Sequence, residues 1–330
     1  MTRTLLKLVS EVTVTSVTLM AQSPPEPVIR VTVDLVVVDA QVVHKKTGRP
    51  IGALKREDFE LSEDGIRQEI VAFSQDRLPL SIVFLFDLTE SVRPVLKPLA
   101  SGALAALQHL KPEDETAVMV YAASAKLLQD FTTDRALTVA AIEKASDMDS
   151  NEAAFFNEGV FQAAVQAAKA KNPGSRRVIV WLTDNVPNVP SESKLHTEID
   201  ALHELLESGT VVSSLLERSA MSNTFTVLYT KNPIFAGVRK HHPPGDVYKY
   251  AEQTGGQVMK SGKEEVAAKL ADLIDQIRTR YSLGYRSSVD QPPGKFCEIK
   301  LNVSTDVVKR EGQVVVKGKR GYYRRAASGG

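Results

Sequence analysis

Ser81-Ile-Val-Phe-Leu-Phe-Asp87-Leu-Thr89-Glu-Ser91 is the stretch on which the fold turns. Its first six residues are apolar or small, follow Leu80 and end abruptly at Asp87. An apolar run of this length, too short for a helix, reads as a strand buried on both faces. A helix over 94–110 follows, with Pro94 in the first turn, where proline is tolerated. The same grammar returns at Val178-Ile-Val-Trp-Leu-Thr183, which runs into Asp184-Asn185. Between and beyond these strands the periodicity predicts strands at 117–121, 125–131, 210–216 and 257–259. It predicts helices at 134–145, 158–170, 194–207, 246–253 and 263–278. Val160, Ala163, Ala164 and Ala167 share one face of the helix at 158–170. Apolar strands alternating with amphipathic helices imply a mainly parallel sheet covered on both faces, a Rossmann-like α/β class.

The flanks read differently. Residues 28–76 are rich in β-branched residues, and Asp64-Gly65 is a strong hairpin turn. Residues 281–323 return to strands at 281–285, 297–303 and 313–317, with Tyr322 and Tyr323 in a final strand. Neither flank is long enough to bury a core alone. The expectation is one small sandwich-like β domain made of both, with the α/β domain at 80–280 inserted between them and 324–330 as a tail.

Composition excludes several classes. Lys and Arg total 41 against 40 Asp and Glu, so no broad surface for nucleic acid is expected. One cysteine, Cys297, excludes an intramolecular disulfide framework, a CxxC pair and a cysteine-rich zinc module. No apolar run approaches the roughly 18 residues of a membrane span. The first 27 residues combine Arg3 and Lys7, a largely apolar or hydroxylated stretch to Met20 that is interrupted by Glu11, a small-residue junction at Ala21-Gln22 and the spacer Ser23-Pro-Pro-Glu-Pro27. That is the layout of a secretory signal peptide and implies a secreted or periplasmic protein.

In an open parallel sheet, ligands bind beyond the carboxyl ends of the strands. Asp87, Thr89 and Ser91 can turn three oxygens toward one point, and Asp184 from a neighbouring strand adds a second carboxylate. Such a hard-oxygen set suits Mg²⁺, with Mn²⁺ or Ca²⁺ as alternatives. Each residue also has a plainer reading: Asp87, Thr89 and Ser91 as helix caps, Asp184 as a turn-forming Asx residue.

These residues resemble the von Willebrand factor A fold, whose metal-ion-dependent adhesion site uses D-x-S-x-S, a Thr from a middle loop and an Asp in a T-D-G turn. Asp87, Thr89 and Ser91 match the first motif with Thr for the first Ser, and Asp184 matches the last with Asn185 for Gly. Asn tolerates the left-handed backbone that Gly would adopt. Asp246 to Gly256 resembles the family's late helix and its Gly-Gly stop. Val33 to Asp39, Leu54 to Gly65, Tyr281 to Tyr285 and Lys319 to Tyr323 resemble the vWA-related family expanded in Acidobacteria. One departure stands out: Ala153 or Ala154 falls where the middle Thr is expected, with Asp147, Asp149 and Ser150 as nearby substitutes.

The resemblance implies a protein-interaction module in which an acidic side chain of a protein ligand completes the ion's coordination. A metal-independent scaffold with a degenerate site is the alternative. A strand running into Asp-x-Thr also resembles an aspartate-dependent phosphoryl-transfer site, but no acidic pair follows a later strand. No GxxxxGK[ST], GxSxG or HExxH pattern occurs, so the chain is not expected to be an enzyme. His196 and His203 are expected on one helix face, Cys297 as a small buried residue, and 217–244 as a long connection bordering the binding face.

Overall fold

The computed structural model describes residues 35–75, 78–148, 150, 154–172, 174–186, 195–217, 233 and 246–324. The expected leader, and all of the 217–244 connection except Glu217 and Pro233, lie outside these residues. The first strands are β1 (Leu35–His44), β2 (Phe59–Glu63), β3 (Ile66–Gln68) and β4 (Ile70–Gln75). Asp64 and Gly65 both take positive φ, 48° and 82°, which closes the two-residue hairpin between β2 and β3.

The α/β region follows as β5 (Leu80–Asp87), α1 (Arg93–Leu107), β6 (Glu115–Tyr121), β7 (Ala125–Thr132), α2 (Arg135–Ser146), α3 (Phe156–Ala168) and β8 (Arg176–Thr183). It continues through α4 (Glu198–Ser208), β9 (Val211–Glu217), α5 (Val247–Thr254), β10 (Val258–Ser261) and α6 (Val266–Arg278). Its six strands lie in the order β10-β9-β8-β5-β6-β7. All neighbours are parallel except β6 and β7. The strand period of two sends Ile82, Phe84 and Phe86 to one face, against α1, α2 and α6. Val83 and Leu85 go to the other, against α3, α4 and α5. Every residue of β5 is buried, as its unbroken apolar run requires.

The chain ends on β11 (Tyr281–Arg286), β12 (Phe296–Val303), α7 (Thr305–Glu311), β13 (Val314–Gly318) and β14 (Gly321–Tyr323). These strands join the first ones in two four-stranded antiparallel sheets, β13-β1-β11-β4 and β14-β12-β2-β3. Val38, Leu283 and Tyr285 of one sheet and Phe59, Leu61 and Ile299 of the other share one hydrophobic core. Arg176 and Arg280, both buried, tie β1 to the α/β region. The Nε of Arg176 donates to Oδ2 of Asp39 at 3.0 Å, and Nη2 of Arg280 donates to the Asp39 carbonyl at 3.4 Å and to the Gly255 carbonyl at 2.7 Å. Among the described residues no helix is long and apolar enough to cross a membrane.

Candidate functional site

β5 and β8 lie side by side and parallel, with Phe86 opposite Leu182, so Asp87 and Thr183-Asp184 leave the sheet together. The chain then parts. From β5 it crosses by α1 on one face to β6, and from β8 by α4 on the other face to β9. That divergence is a topological switch point, where a crevice opens beyond the strand ends.

Asp87 is fully buried at this point. Its Oδ1 accepts from the Thr89 backbone N–H at 2.9 Å and from the Thr89 hydroxyl at 2.6 Å. Ser91 donates to the Thr89 hydroxyl at 3.3 Å. Oδ2 accepts from the Tyr121 hydroxyl at 2.8 Å and from Thr183 Oγ1 at 3.2 Å. Burial, reinforced by the charge of Asp184, pushes the Asp87 carboxyl up to about 6 despite these donors. The capping reading does not hold for these residues: α1 begins at Arg93, its N-cap is Val92, and no side chain caps it.

Tyr121 is locked from behind. Trp181 Nε1–H donates to its oxygen at 3.0 Å. Gly159 backs the ring so closely that a Cβ there would meet Cγ at 2.7 Å. Burial pushes the phenol well above its usual range, so it remains a donor.

Asp184 is also buried. Its Oδ1 accepts from the Val186 N–H at 3.0 Å, an Asx turn. Its Oδ2 is buried and has no hydrogen-bond partner among the described residues. Asn185 takes φ 58°, the left-handed conformation expected of it in place of Gly. Its Oδ1 accepts from the Val247 N–H at 2.9 Å, pinning the start of α5 to the Asp184 turn.

The middle loop contributes no hydroxyl at the position where one was expected. Ala154 is fully buried and offers only a methyl. Ala153 and Asp149 lie outside the described residues, and Asp147 closes α2 as its C-cap. Among the described residues the candidate donor set is two carboxylates, of Asp87 and Asp184, and two hydroxyls, of Thr89 and Ser91. A buried, unpaired carboxylate oxygen beside a second buried carboxylate is costly unless a cation or a proton compensates it. The set fits a hard divalent ion that keeps several waters.

Sequence reading missed Tyr121 and Thr183 as partners of Asp87. The parallel register Asp87↔Tyr121 is the signal that finds the first, because polar ends of adjacent strands meet there. His196 precedes α4 and does not share its face with His203. It stacks on Phe161 at 3.5 Å, and its Nδ1 lies 2.7 Å from Glu158 Oε2.

Residues 82–186 match the family profile of the von Willebrand factor type A domain. That span holds Asp87, Thr89, Ser91 and Asp184. The mixed α/β architecture with a mainly parallel sheet is the Rossmann-like fold of that domain. Among solved structures, the chain is similar to the conserved hypothetical protein BatB from Bacteroides thetaiotaomicron, at 13% identity, 60% of this chain, 97% of that one and a TM-score of 0.41. It is similar to the vWF domain of the type V pili tip protein Mfa5 from Porphyromonas gingivalis, at 10% identity, 61% and 95% coverage and a TM-score of 0.41. It is also similar to proximal thread matrix protein 1 from the mussel byssus with a zinc-occupied MIDAS motif. There the identity is 12%, the coverage 66% of this chain and 50% of that one, and the TM-score 0.43. No curated protein sequence matches the chain.

Proposed function

We propose that this chain is a secreted or periplasmic protein-interaction module. It binds a protein ligand at the carboxyl end of its parallel sheet, through a Mg²⁺ ion held by Asp87, Thr89, Ser91 and Asp184. The observation that carries this reading is the buried Oδ2 of Asp184, without a partner among the described residues and beside the buried carboxyl of Asp87. A bound ion would supply the positive charge that an acidic side chain of the partner can coordinate. Asp87 and Asp184 would hold it by charge and Thr89 and Ser91 would supply hydroxyl oxygens, while Tyr121 fixes the Asp87 carboxylate. We assign the module no catalytic step. Export rests on the basic, largely apolar leader that precedes Ser23. The two outer sheets are read as one composite β domain that carries the α/β domain.

A metal-independent scaffold is the second reading, favoured by one specific observation. Ala154 supplies no oxygen, while Tyr121 and Thr183 already occupy Oδ2 of Asp87. Immobilised protein separates the two readings. Under the first, an extracytoplasmic partner is retained in Mg²⁺, released by EDTA, recaptured when Mg²⁺ returns, and not retained by Asp184→Ala. Retention unchanged in EDTA supports the scaffold.

A further inference from the structure

The sheet β14-β12-β2-β3 ends on an edge that lies outside the site described above. β3 pairs only with β2, so its other edge is open among the described residues. The Asp64-Gly65 hairpin sets which backbone groups face that edge. In a two-residue hairpin the residues flanking the turn exchange both hydrogen bonds, and bonded and non-bonded pairs alternate from there. Glu63↔Ile66 and Leu61↔Gln68 are therefore bonded pairs, and Ser62↔Arg67 is not. The N–H and C=O of Arg67 point away from β2, toward the open edge. A groove of about 420 Å³ lies beside it, with Phe59, Leu61 and Ile70 as an apolar floor and Arg67 and Glu69 on its polar wall. Ile66, on the same edge strand, leaves 52% of its surface exposed.

We propose that this edge docks a second copy of the chain, β3 pairing antiparallel with β3 about a two-fold axis at Gln68. The stretch Ile66-Arg67-Gln68-Glu69-Ile70 complements itself about that residue: apolar, basic, polar, acidic, apolar. In this register Arg67 faces Glu69 of the second copy, and Glu69 faces its Arg67. These are two opposite-charge cross-strand pairs. Both side chains are exposed, and neither has an ion-pair partner among the described residues. The same register makes Arg67↔Glu69 the bonded pair, so the outward N–H and C=O of Arg67 find partners. Ile66 falls opposite Ile70 of the second copy, where its exposed side chain covers the apolar floor of the groove. The contact is isologous and closes at two copies. Charges on an edge strand ordinarily discourage pairing. Here their signs invert about Gln68, so the edge repels a like-charged strand and matches its own copy.

Sedimentation equilibrium of the full chain over a micromolar concentration series tests it. The expected result for wild type is a reversible monomer–dimer equilibrium. Arg67→Glu sets Glu against Glu69 at both pairs, and Glu69→Arg sets Arg against Arg67. Each variant alone weakens the dimer about tenfold or more. Mixed together, the two variants restore opposite charges at both pairs and form a heterodimer. The double variant Arg67→Glu/Glu69→Arg dimerises with itself as wild type does. Both positions are exposed, and the heterodimer and the double variant show that the substituted chains still fold. A wild-type chain that stays monomeric throughout the series overturns the proposal and leaves the two charges as guards of an unpaired edge. A dimer whose dissociation constant is unchanged in both single variants overturns it equally, because the copies then meet on another face.

Discussion

The hydroxyl of Tyr121 donates to Oδ2 of Asp87 at 2.8 Å, at the end of two paired parallel strands. Trp181 Nε1–H donates to the same hydroxyl at 3.0 Å, so one phenol joins a core indole to the carboxylate of the candidate site. Tyr121→Phe keeps the ring and removes both bonds. It leaves a buried donor and a buried acceptor each short of a partner, at a cost of about 1–3 kcal/mol. Urea unfolding at pH 7 in Mg²⁺ measures it. A cost near zero contradicts the role given to this hydroxyl.

The raised carboxyl of Asp87 makes a pH prediction. Its folded value of about 6 lies above its ordinary 3.8, so the folded chain holds this proton more tightly than the unfolded one. The stability it contributes is fully present below about pH 4 and is lost as pH rises through about 6. The difference corresponds to about 3 kcal/mol. In EDTA, wild type should lose stability over that window relative to Asp87→Asn, and saturating Mg²⁺ should remove the difference. A wild-type profile parallel to that of Asp87→Asn in EDTA contradicts the assignment.

Asp39 predicts the opposite slope. Burial alone would raise its carboxyl, but Arg176, with help from Arg280 and Ser282, holds it below the usual carboxylate value. Its contribution is present above about pH 4 and is lost as pH falls through the lower folded value. Asp39→Asn leaves two buried arginines without their shared carboxylate. The expected loss is about 3–5 kcal/mol at pH 7. Chemical denaturation of the variant checks it, and a loss under 1 kcal/mol (roughly the worth of an exposed pair) contradicts it.

Gly256 and Gly209 should respond unequally to alanine. A Cβ at Gly256 would run into the backbone carbonyl of Val212 in β9. Gly209 ends α4 at φ 68° with open space around its Cα. Gly209→Ala should cost about 1 kcal/mol of backbone strain, and Gly256→Ala at least about 3 kcal/mol. Thermal unfolding of both variants ranks them, and the reverse order contradicts the packing described here.

Much of this architecture was legible because its strands carry their own punctuation. β5 and β8 carry apolar runs, 82–86 and 178–182, that end at Asp87 and Thr183, and the Asp64-Gly65 turn fixed the β2–β3 hairpin. Helix α7 was not legible. Thr305–Glu311 is mostly polar and buries only Val307, so its periodicity is faint. The change of sheet between β3 and β4 was not legible either, because residues 66–75 switch at Glu69 without a Gly or Pro to mark it. At the site, the D-x-T-x-S spacing showed where oxygens converge. The Tyr121 bond was hidden because it depends on which strands are neighbours.

The unfolding temperature in EDTA, Mg²⁺, Mn²⁺ and Ca²⁺, on wild type and Asp87→Ala, tests the central claim most directly. An ion that binds only the native state raises apparent stability by mass action, by about 2.7 kcal/mol at a hundred times its Kd. The account predicts a saturable rise with Mg²⁺ in wild type and none in Asp87→Ala. No rise in wild type at millimolar Mg²⁺, or an equal rise in both proteins, would contradict a metal-dependent binding face at Asp87 and Asp184.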